Sequence, residues 1–358
     1  MKTFSEKIIF WYNQNKRDLP WRNTQNPYLI WLSEIILQQT RVEQGREYYN
    51  RFAKEFPTVK KLAGASEDKV LKLWQGLGYY SRARNLHASA KIIAEKYNGK
   101  FPETYQEILQ LKGVGDYTAS AISSFAFGEA QPVLDGNVFR VLARVFGIDK
   151  AIDSTIGKKY FRETAFLLLD KKNAGKYNQA IMEFGALQCK PQNPDCKNCV
   201  LNSMCFAYEN KAQQQFPVKE KNTKQRNRYF NYFVFKYKDS IVLRKRSGKD
   251  IWKNLYDFPL LESDSEISEK LFFENPSLKN YFSELKISNK YLVLKVSVIH
   301  KHILSHQKIY ARFWEIELKK GISESIQKKN NFISIPEKKI SKYAIPRLID
   351  IYLKGTKN

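Results

Sequence analysis

Leu111-Lys112-Gly113-Val114-Gly115-Asp116-Tyr117-Thr118, followed after one short helical stretch by Pro132-Val133-Leu134-Asp135-Gly136-Asn137-Val138, decides how the chain is read. The first half sets Gly113 and Gly115 between two helical patterns, so that unencumbered backbone N–H groups face outward at the start of the second helix, where they suit a phosphate. The second half presents a carboxylate: Asp135 sits in a Gly-Asn turn just ahead of the amphipathic run Val138, Val141, Leu142, Val145. An anion-binding hairpin beside an acid points to chemistry on nucleic acid.

Outward from this stretch, the first 210 residues have helical periodicity. Thr3 with Glu6 and Thr104 with Glu107 read as capping boxes. Helices are expected at about 28–39, 42–55, 67–75, 82–98, 104–110, 117–127, 138–146, 156–170 and 174–187. In the helix after Pro27, Leu29, Leu32, Ile35 and Ile36 face a core while Glu34, Gln38 and Arg41 form a narrow polar stripe, which makes Glu34 a carboxyl in a largely apolar helix. The periodicity fails at about 207–228, and residues 211–228 are read as a basic linker. Beyond it the pattern turns to period two, with a hairpin about Lys238-Asp239, strands at 290–299 and 308–318, and a closing helix at 341–353 interrupted near Pro346. The expected organisation is an all-α domain over 1–210 and an α+β domain over 229–358.

The 358 residues, 43% of them hydrophobic, suffice for two cores. No apolar run approaches the length of a membrane span, so the expectation is a cytoplasmic, nucleoid-associated protein, monomeric and without a membrane partner. The net charge of +25 suits a polyanion. Residues 1–210 carry 30 Lys and Arg against 21 Asp and Glu, and residues 211–358 carry 31 against 15, so the C-terminal part supplies more of the field. A composition rich in Lys, Asn, Ile, Tyr and Phe, as A/T-rich codons produce, offers a second source for the lysine excess.

All four cysteines fall in one window, Cys189-x6-Cys196-x2-Cys199-x5-Cys205. With no export signal, the reading is a four-thiolate metal site rather than a disulfide framework. The spacing leaves zinc and iron–sulfur both open.

Taken together, Pro27 to Thr40, Gly76-Leu77-Gly78-Tyr79-Tyr80-Ser81-Arg82-Ala83-Arg84-Asn85-Leu86, Leu111 to Thr118, Leu134 to Val138 and the 6-2-5 cysteine spacing resemble the MutY-type adenine DNA glycosylases, in that family's order. The resemblance implies a helix-hairpin-helix glycosylase domain, one 4Fe-4S cluster on the four cysteines, and a substrate of adenine mispaired with 8-oxoguanine or guanine in double-stranded DNA. It also implies roles. Glu34 would protonate the adenine, Asp135 would stabilise a cationic sugar, Asn137 would help position water, Tyr117 would line the pocket and Glu183 would read adenine. Gln38, Gln39 and Tyr79 would enter the duplex. Arg82 and Arg84 read equally as phosphate contacts or as solvated charges. Breaking an N-glycosidic bond generates an oxocarbenium-like sugar and a poor leaving group, which is work for one acid and one carboxylate. Burial is expected to raise the pKa of Glu34, and local hydrogen bonds to keep Asp135 ionised.

Tyr117 separates two related families. Endonuclease III-type enzymes carry a Schiff-base lysine at this position, so tyrosine implies a monofunctional glycosylase. The competing readings are an endonuclease III-like pyrimidine glycosylase with lyase activity and a non-catalytic, metal-containing DNA-binding protein. The C-terminal part resembles the family's Nudix-like domain, most visibly at Ile251 to Pro259, but lacks the clustered acidic helix of a working Nudix hydrolase, which points to recognition rather than hydrolysis. Leu304-Ser305-His306 matches two of the three residues of the family's Phe-Ser-His lesion loop. His300, His302 and His306 read as a polar strand junction rather than a metal site.

Overall fold

Thr3 caps the start of the first helix in the way its spacing predicts: its N–H donates to the Glu6 carboxylate at 2.6 Å while its hydroxyl accepts from the Glu6 N–H, satisfying two donors that a bare helix start leaves open. The computed structural model describes residues 3–220, 225–270, 272, 274–287 and 290–355. Residues 221–224 of the expected linker lie outside that range. The helices are α1 (Phe4–Asn15), α2 (Pro27–Leu37), α3 (Val42–Glu55), α4 (Val59–Ala63), α5 (Glu67–Trp74), α6 (Ser81–Lys96), α7 (Tyr105–Leu109), α8 (Asp116–Phe127), α9 (Gly136–Phe146), α10 (Thr155–Leu168), α11 (Ala174–Leu187), α12 (Phe206–Glu209), α13 (Pro276–Glu284), α14 (Glu324–Asn330) and α15 (Arg347–Gly355). The strands are β1 (Arg226–Tyr237), β2 (Ser240–Lys245), β3 (Tyr256–Asp257), β4 (Leu260–Ser263), β5 (Tyr291–Val296), β6 (His300–Ile303), β7 (Gln307–Leu318) and β8 (Phe332–Pro336). None of the described helices is long and apolar enough to cross a membrane.

The chain divides into two compact units, one of residues 1–64 and 85–222, the other of residues 65–84 and 223–358. The first is helical. One of its cores joins the inner face of α1 (Phe4, Ile8, Trp11) to Val138, Val141 and Leu142 of α9 and Tyr177, Ile181 and Phe184 of α11. Between α7 and α8 the backbone turns at Gly113, whose φ is +77° and whose position leaves no room for a side chain, since a Cβ there would come within 2.7 Å of Asn85 Cβ. Gly115, in extended conformation, then stands at the N-cap of α8 without a side-chain cap.

The second unit is built on a mixed sheet in the order β3-β2-β1-β7-β5, with β1 and β7 parallel and the remaining pairs antiparallel. Period-two alternation on β1 sends Phe230, Tyr232 and Val234 towards Leu348, Ile349 and Tyr352 of α15, and Phe233 and Phe235 towards Leu278 and Phe282 of α13. Among the boundaries that differ from the sequence reading, two have a clear physical cause. β1 begins at Arg226, inside the basic run, because Arg226 to Lys236 pair with Gln307 to Glu317 and backbone pairing is indifferent to side-chain charge. The closing helix starts only at Arg347, after a 3-10 turn at Glu337–Lys342, since Pro346 offers no N–H and disfavours helix in the residue before it.

The hairpin yields a paired prediction. Gly113→Ala must accept a left-handed backbone and a clash with Asn85, and is expected to cost about 1–3 kcal/mol. Gly115→Ala meets nothing within 4 Å and should be near neutral. Urea unfolding of both variants checks this, and equal midpoints would contradict it.

Candidate active site

Helices α2, α8, α9 and α11 of the first unit bring side chains to one cavity of about 570 Å³. From α2 comes Glu34, only 6% exposed, flanked by Ile30, Trp31, Leu32, Ile35 and Ile36, all buried. Pro27 at the first turn and the Asn26 side chain, which accepts from the Tyr28 and Leu29 N–H groups, start α2 cleanly. From α8 comes Tyr117, whose hydroxyl donates to Glu34 Oε2 at 2.8 Å. Asp135 enters as the N-cap of α9: its Oδ1 accepts from the Val138 N–H at 2.7 Å and its Oδ2 from Asn137 Nδ2 at 2.7 Å. The cap and the cavity carboxylate are thus one residue.

Burial is the dominant influence on both acids. It pushes Glu34 up to about 7; the Tyr117 hydrogen bond pulls the other way and the charge of Asp135 adds to the rise. Asp135 is also raised by burial, with the Val138 N–H, Asn137 and Arg140 opposing. The sequence reading expected local hydrogen bonds to dominate at Asp135; those bonds are present, but removal from water outweighs them. Tyr117 is held well above its ordinary range by burial and by the two carboxyls, so its hydroxyl stays a donor.

Glu183 lines the same cavity but is not open to a base. Its Oε1 accepts from the Arg17 N–H, Arg17 Nε and Arg22 Nη1, and its Oε2 from Arg17 Nη2 and Arg22 Nη2, all at 2.7–3.0 Å. Burial alone would raise this carboxyl, yet the two guanidiniums hold it down at about 2. Any reading of a base by Glu183 therefore passes through Arg17 and Arg22, which the sequence reading missed because they lie in the irregular stretch after α1. Arg140 was missed as well. It donates to Asn137 Oδ1 at 2.9 Å, to the Gly185 carbonyl at 2.6 Å and, through Nε, to the Cys189 carbonyl at 2.8 Å. Its only sequence signal is a buried position on the apolar face of α9.

Gln38 and Gln39 also line the cavity; Gln38 Nε2 donates to Thr118 Oγ1 at 3.2 Å, and Gln39 takes a left-handed backbone with φ of +53°. Gly113 and Gly115 are solvent-exposed and do not line it.

The remaining residues expected to contact DNA belong to the second unit. Tyr79, 49% exposed, has φ of +45° and shares a 2.6 Å hydrogen bond with Ser305 Oγ. Ser305 and His306 are exposed in the turn from β6 to β7, whereas Leu304 packs against the α15 face of the sheet instead of standing out as a wedge. Arg82 is buried, with Nη2 directed to the Leu77 and Gly78 carbonyls, and so braces the Gly76–Tyr80 loop from behind rather than reaching out to a phosphate. Arg84 likewise donates to the Lys253 carbonyl at 3.0 Å. His300 packs edge-on against Phe313, and His302 lies against Trp252.

The four cysteines are half-buried and line one pocket. Arg144 Nη1 lies 3.6 Å from Cys189 Sγ, the Leu201 N–H donates to Cys199 Sγ at 3.4 Å, and Gln213 Nε2 lies 3.9 Å from Cys196 Sγ. Burial raises Cys196, Cys205 and, to about 12, Cys199. Four soft donors with N–H groups aimed at sulfur fit a thiolate-bound metal group, whose positive charge would offset that burial. Among the described residues no three His, Cys, Asp or Glu side chains stand as a ready site for a single metal ion.

Residues 32–164 match the HhH-GPD superfamily of base excision DNA repair proteins, and residues 231–355 match the NUDIX domain. The chain is 38% identical over 311 residues to the adenine DNA glycosylase of Buchnera aphidicola subsp. Baizongia pistaciae, an alignment covering 86% of this chain and 84% of that protein. It is 43% identical over 215 residues to the adenine DNA glycosylase of Mus musculus, covering 58% of this chain and 42% of that one. Of solved structures, a thermostable thymine-DNA glycosylase aligns with a TM-score of 0.54 at 30% identity, over 58% of this chain and 95% of its own. A non-covalent endonuclease III–DNA complex aligns with a TM-score of 0.51 at 21% identity, over 58% and 94%, which is a likeness of fold. With both halves of the chain matched in order and most of a relative's length aligned, the chain belongs to the adenine DNA glycosylases, enzymes of base excision repair.

Proposed function

We propose that this glycosylase hydrolyses adenine from duplex DNA where adenine is mispaired with 8-oxoguanine or guanine, and that it does so without cleaving the strand. One observation carries the reading: two carboxyls share a cavity, one of them raised to about 7 by burial and held by a tyrosine hydroxyl where a lyase would need an amine. In the proposed reaction the target nucleotide leaves the stack to reach the cavity. Glu34 gives its proton to the departing adenine, and Asp135, carrying the negative charge that Glu34 does not, faces the sugar as it becomes cationic. Asn137, fixed between Asp135 and Arg140, positions the attacking water. Tyr117 cannot form a Schiff base, so the product is an abasic site on an intact strand.

On the side of the orphaned base, Tyr79 supplies the aromatic wedge, with Ser305 and His306 next to it for hydrogen bonds to the lesion. Cys189, Cys196, Cys199 and Cys205 would hold a 4Fe-4S cluster, which when bound pins the loop after α11.

Single-turnover release of adenine is expected to be fastest opposite 8-oxoguanine, slower opposite guanine and slowest opposite cytosine, with no adduct trapped by borohydride. Equal rates opposite all three would remove the lesion assignment, and efficient trapping would restore the lyase reading.

The Glu34 shift sets two signs. Its folded pKa of about 7 lies above its ordinary 4.5, so the neutral form is the one the fold favours. The rate should fall as pH rises through about 7, where Glu34 loses its proton. Stability should fall between pH 4.5 and 7, where the unfolded chain has released that proton and the folded one has not, for a total cost of roughly 3 kcal/mol by pH 8. Glu34→Gln should therefore abolish adenine release yet raise the melting temperature at pH 8 and leave it nearly unchanged at pH 4. A melting temperature lowered at pH 8 would show that Glu34 is not held neutral.

For the cysteines, the purified protein should carry iron and a broad visible absorbance that Cys199→Ser diminishes. A colourless protein with stoichiometric zinc would exclude the cluster.

A further inference from the structure

β7 is flanked on one side by β1 and on the other by β5 and β6, which follow one another along a single edge; beyond them the sheet is unpaired among the described residues. An open edge is a row of N–H and C=O groups ready to take another strand, and proteins commonly blunt it with charge or a bulge. Both devices are present. Lys295 and Lys301 are exposed, and the register with β7 slips between Val293 and Lys295, which makes Leu294 the extra residue. Apolar surface nonetheless remains open: Leu292 is 59% exposed, Leu294 50% and Val298 79%. Tyr291, Val293 and Val296 pack against the core under α13, so β5 is firmly seated while its leucines face water.

The charge along this edge is of one sign. From Lys286 to Ile303 the chain has four lysines and no carboxylate. Lys319, whose N–H donates to the Lys290 carbonyl at 2.9 Å, and Lys320 add two more at the start of β5. β7 sets two acids opposite β5, Glu315 across from Lys295 and Glu317 across from Leu292. Glu315 is already taken by Lys236 Nζ at 3.2 Å and by the Tyr352 hydroxyl at 2.8 Å, so Glu317 stands against the lysines of both segments. An edge with open backbone groups, exposed leucines and a positive field is complementary to an acidic, partly apolar strand.

We propose that the β5 edge takes an added strand from another protein, an extended segment bearing both apolar and acidic side chains. Backbone pairing fixes the register, Leu292 and Leu294 receive the apolar side chains, and Lys290 and Lys295 select for carboxylates. A DNA backbone would meet the lysines but gain nothing from the leucines. A second copy of this chain would satisfy the open edge, yet it would set two runs of lysines side by side with no carboxylate on either, which like-charge repulsion opposes.

Fluorescence anisotropy with the full chain tests the assignment, using as probe a labelled, end-blocked peptide of repeated Glu-Val-Leu about nine residues long, within the ordinary length of a strand. The peptide should bind saturably, and the same peptide with lysine in place of glutamate about tenfold or more weakly. N-methylation of alternate peptide nitrogens, which leaves every side chain in place, should abolish binding. Lys290→Glu/Lys295→Glu and Leu292→Ser/Leu294→Ser should each lose about tenfold or more in affinity for the glutamate peptide while keeping the wild-type circular dichroism and the wild-type rate of adenine release. The proposal is overturned by the absence of binding, by affinity indifferent to the charge reversal or to the N-methyl groups, by loss of adenine release in step with loss of the peptide, or by undamaged duplex displacing the peptide one for one. A dimer in sedimentation that Leu292→Ser/Leu294→Ser dissociates would overturn it too, by giving the edge to a second copy.

Discussion

A carboxyl that must keep its proton near neutrality has to be taken out of water, and the arrangement of the first unit follows from meeting that condition at Glu34. Helix α2 is apolar on nearly every side, so a glutamate on it is surrounded by hydrocarbon and its charged form is penalised. One neutral hydroxyl, Tyr117, answers it; a lysine or arginine in that place would stabilise the carboxylate and cancel the effect of burial. The position of that hydroxyl is set by the hairpin. Gly113 turns the chain, Gly115 caps α8, and Tyr117 follows two residues later, in the first turn, at the cavity.

The second acid is placed by a different device. Asp135 is held by the start of a helix, where the Val138 N–H donates to its Oδ1 at no cost in side-chain order, and Asn137 Nδ2 donates to its Oδ2. Asn137 is in turn fixed by Arg140, which also binds the carbonyls of Gly185 and Cys189. A continuous run of hydrogen bonds thus joins the backbone of the cysteine loop to the carboxylate in the cavity. The charge on Glu183 is handled by the opposite rule. It is buried with two guanidiniums, because an ionised carboxylate this far from water is tolerable only when every lone pair is used.

Helix starts, helix faces and the change to period two were legible in the sequence, since each is written locally: Thr3 with Glu6, the apolar stripe of α9, the alternation along β1. Glu34, Asp135 and Tyr117 were legible for the same reason, and through their resemblance to a known pattern. What escaped was pairing across the chain. Arg17 and Arg22 lie more than 160 positions from Glu183, and nothing near them records that they share one carboxylate. Arg82 and Arg84 look like surface charges in the sequence, yet each is spent on loop carbonyls. Periodicity shows that α5 has a buried face but not which residues cover it.

That last point bears on Tyr79. Residues 65–84 group with the C-terminal strands, through Glu67 with Asn254, Asp68 with Lys245 and Tyr256, and Gln75 with the Ile345 N–H. The loop that carries Tyr79 in a left-handed conformation thus rests on the same unit as Ser305. A backbone of that kind persists only when its surroundings over-determine it, and here they include the Trp74 indole on the Gly78 carbonyl, the Arg82 guanidinium on the same oxygen, and the Tyr79 hydroxyl tied to Ser305. The Tyr79 side chain and the Ser305 hydroxyl are thus held on one scaffold, and the chain itself fixes their relative position.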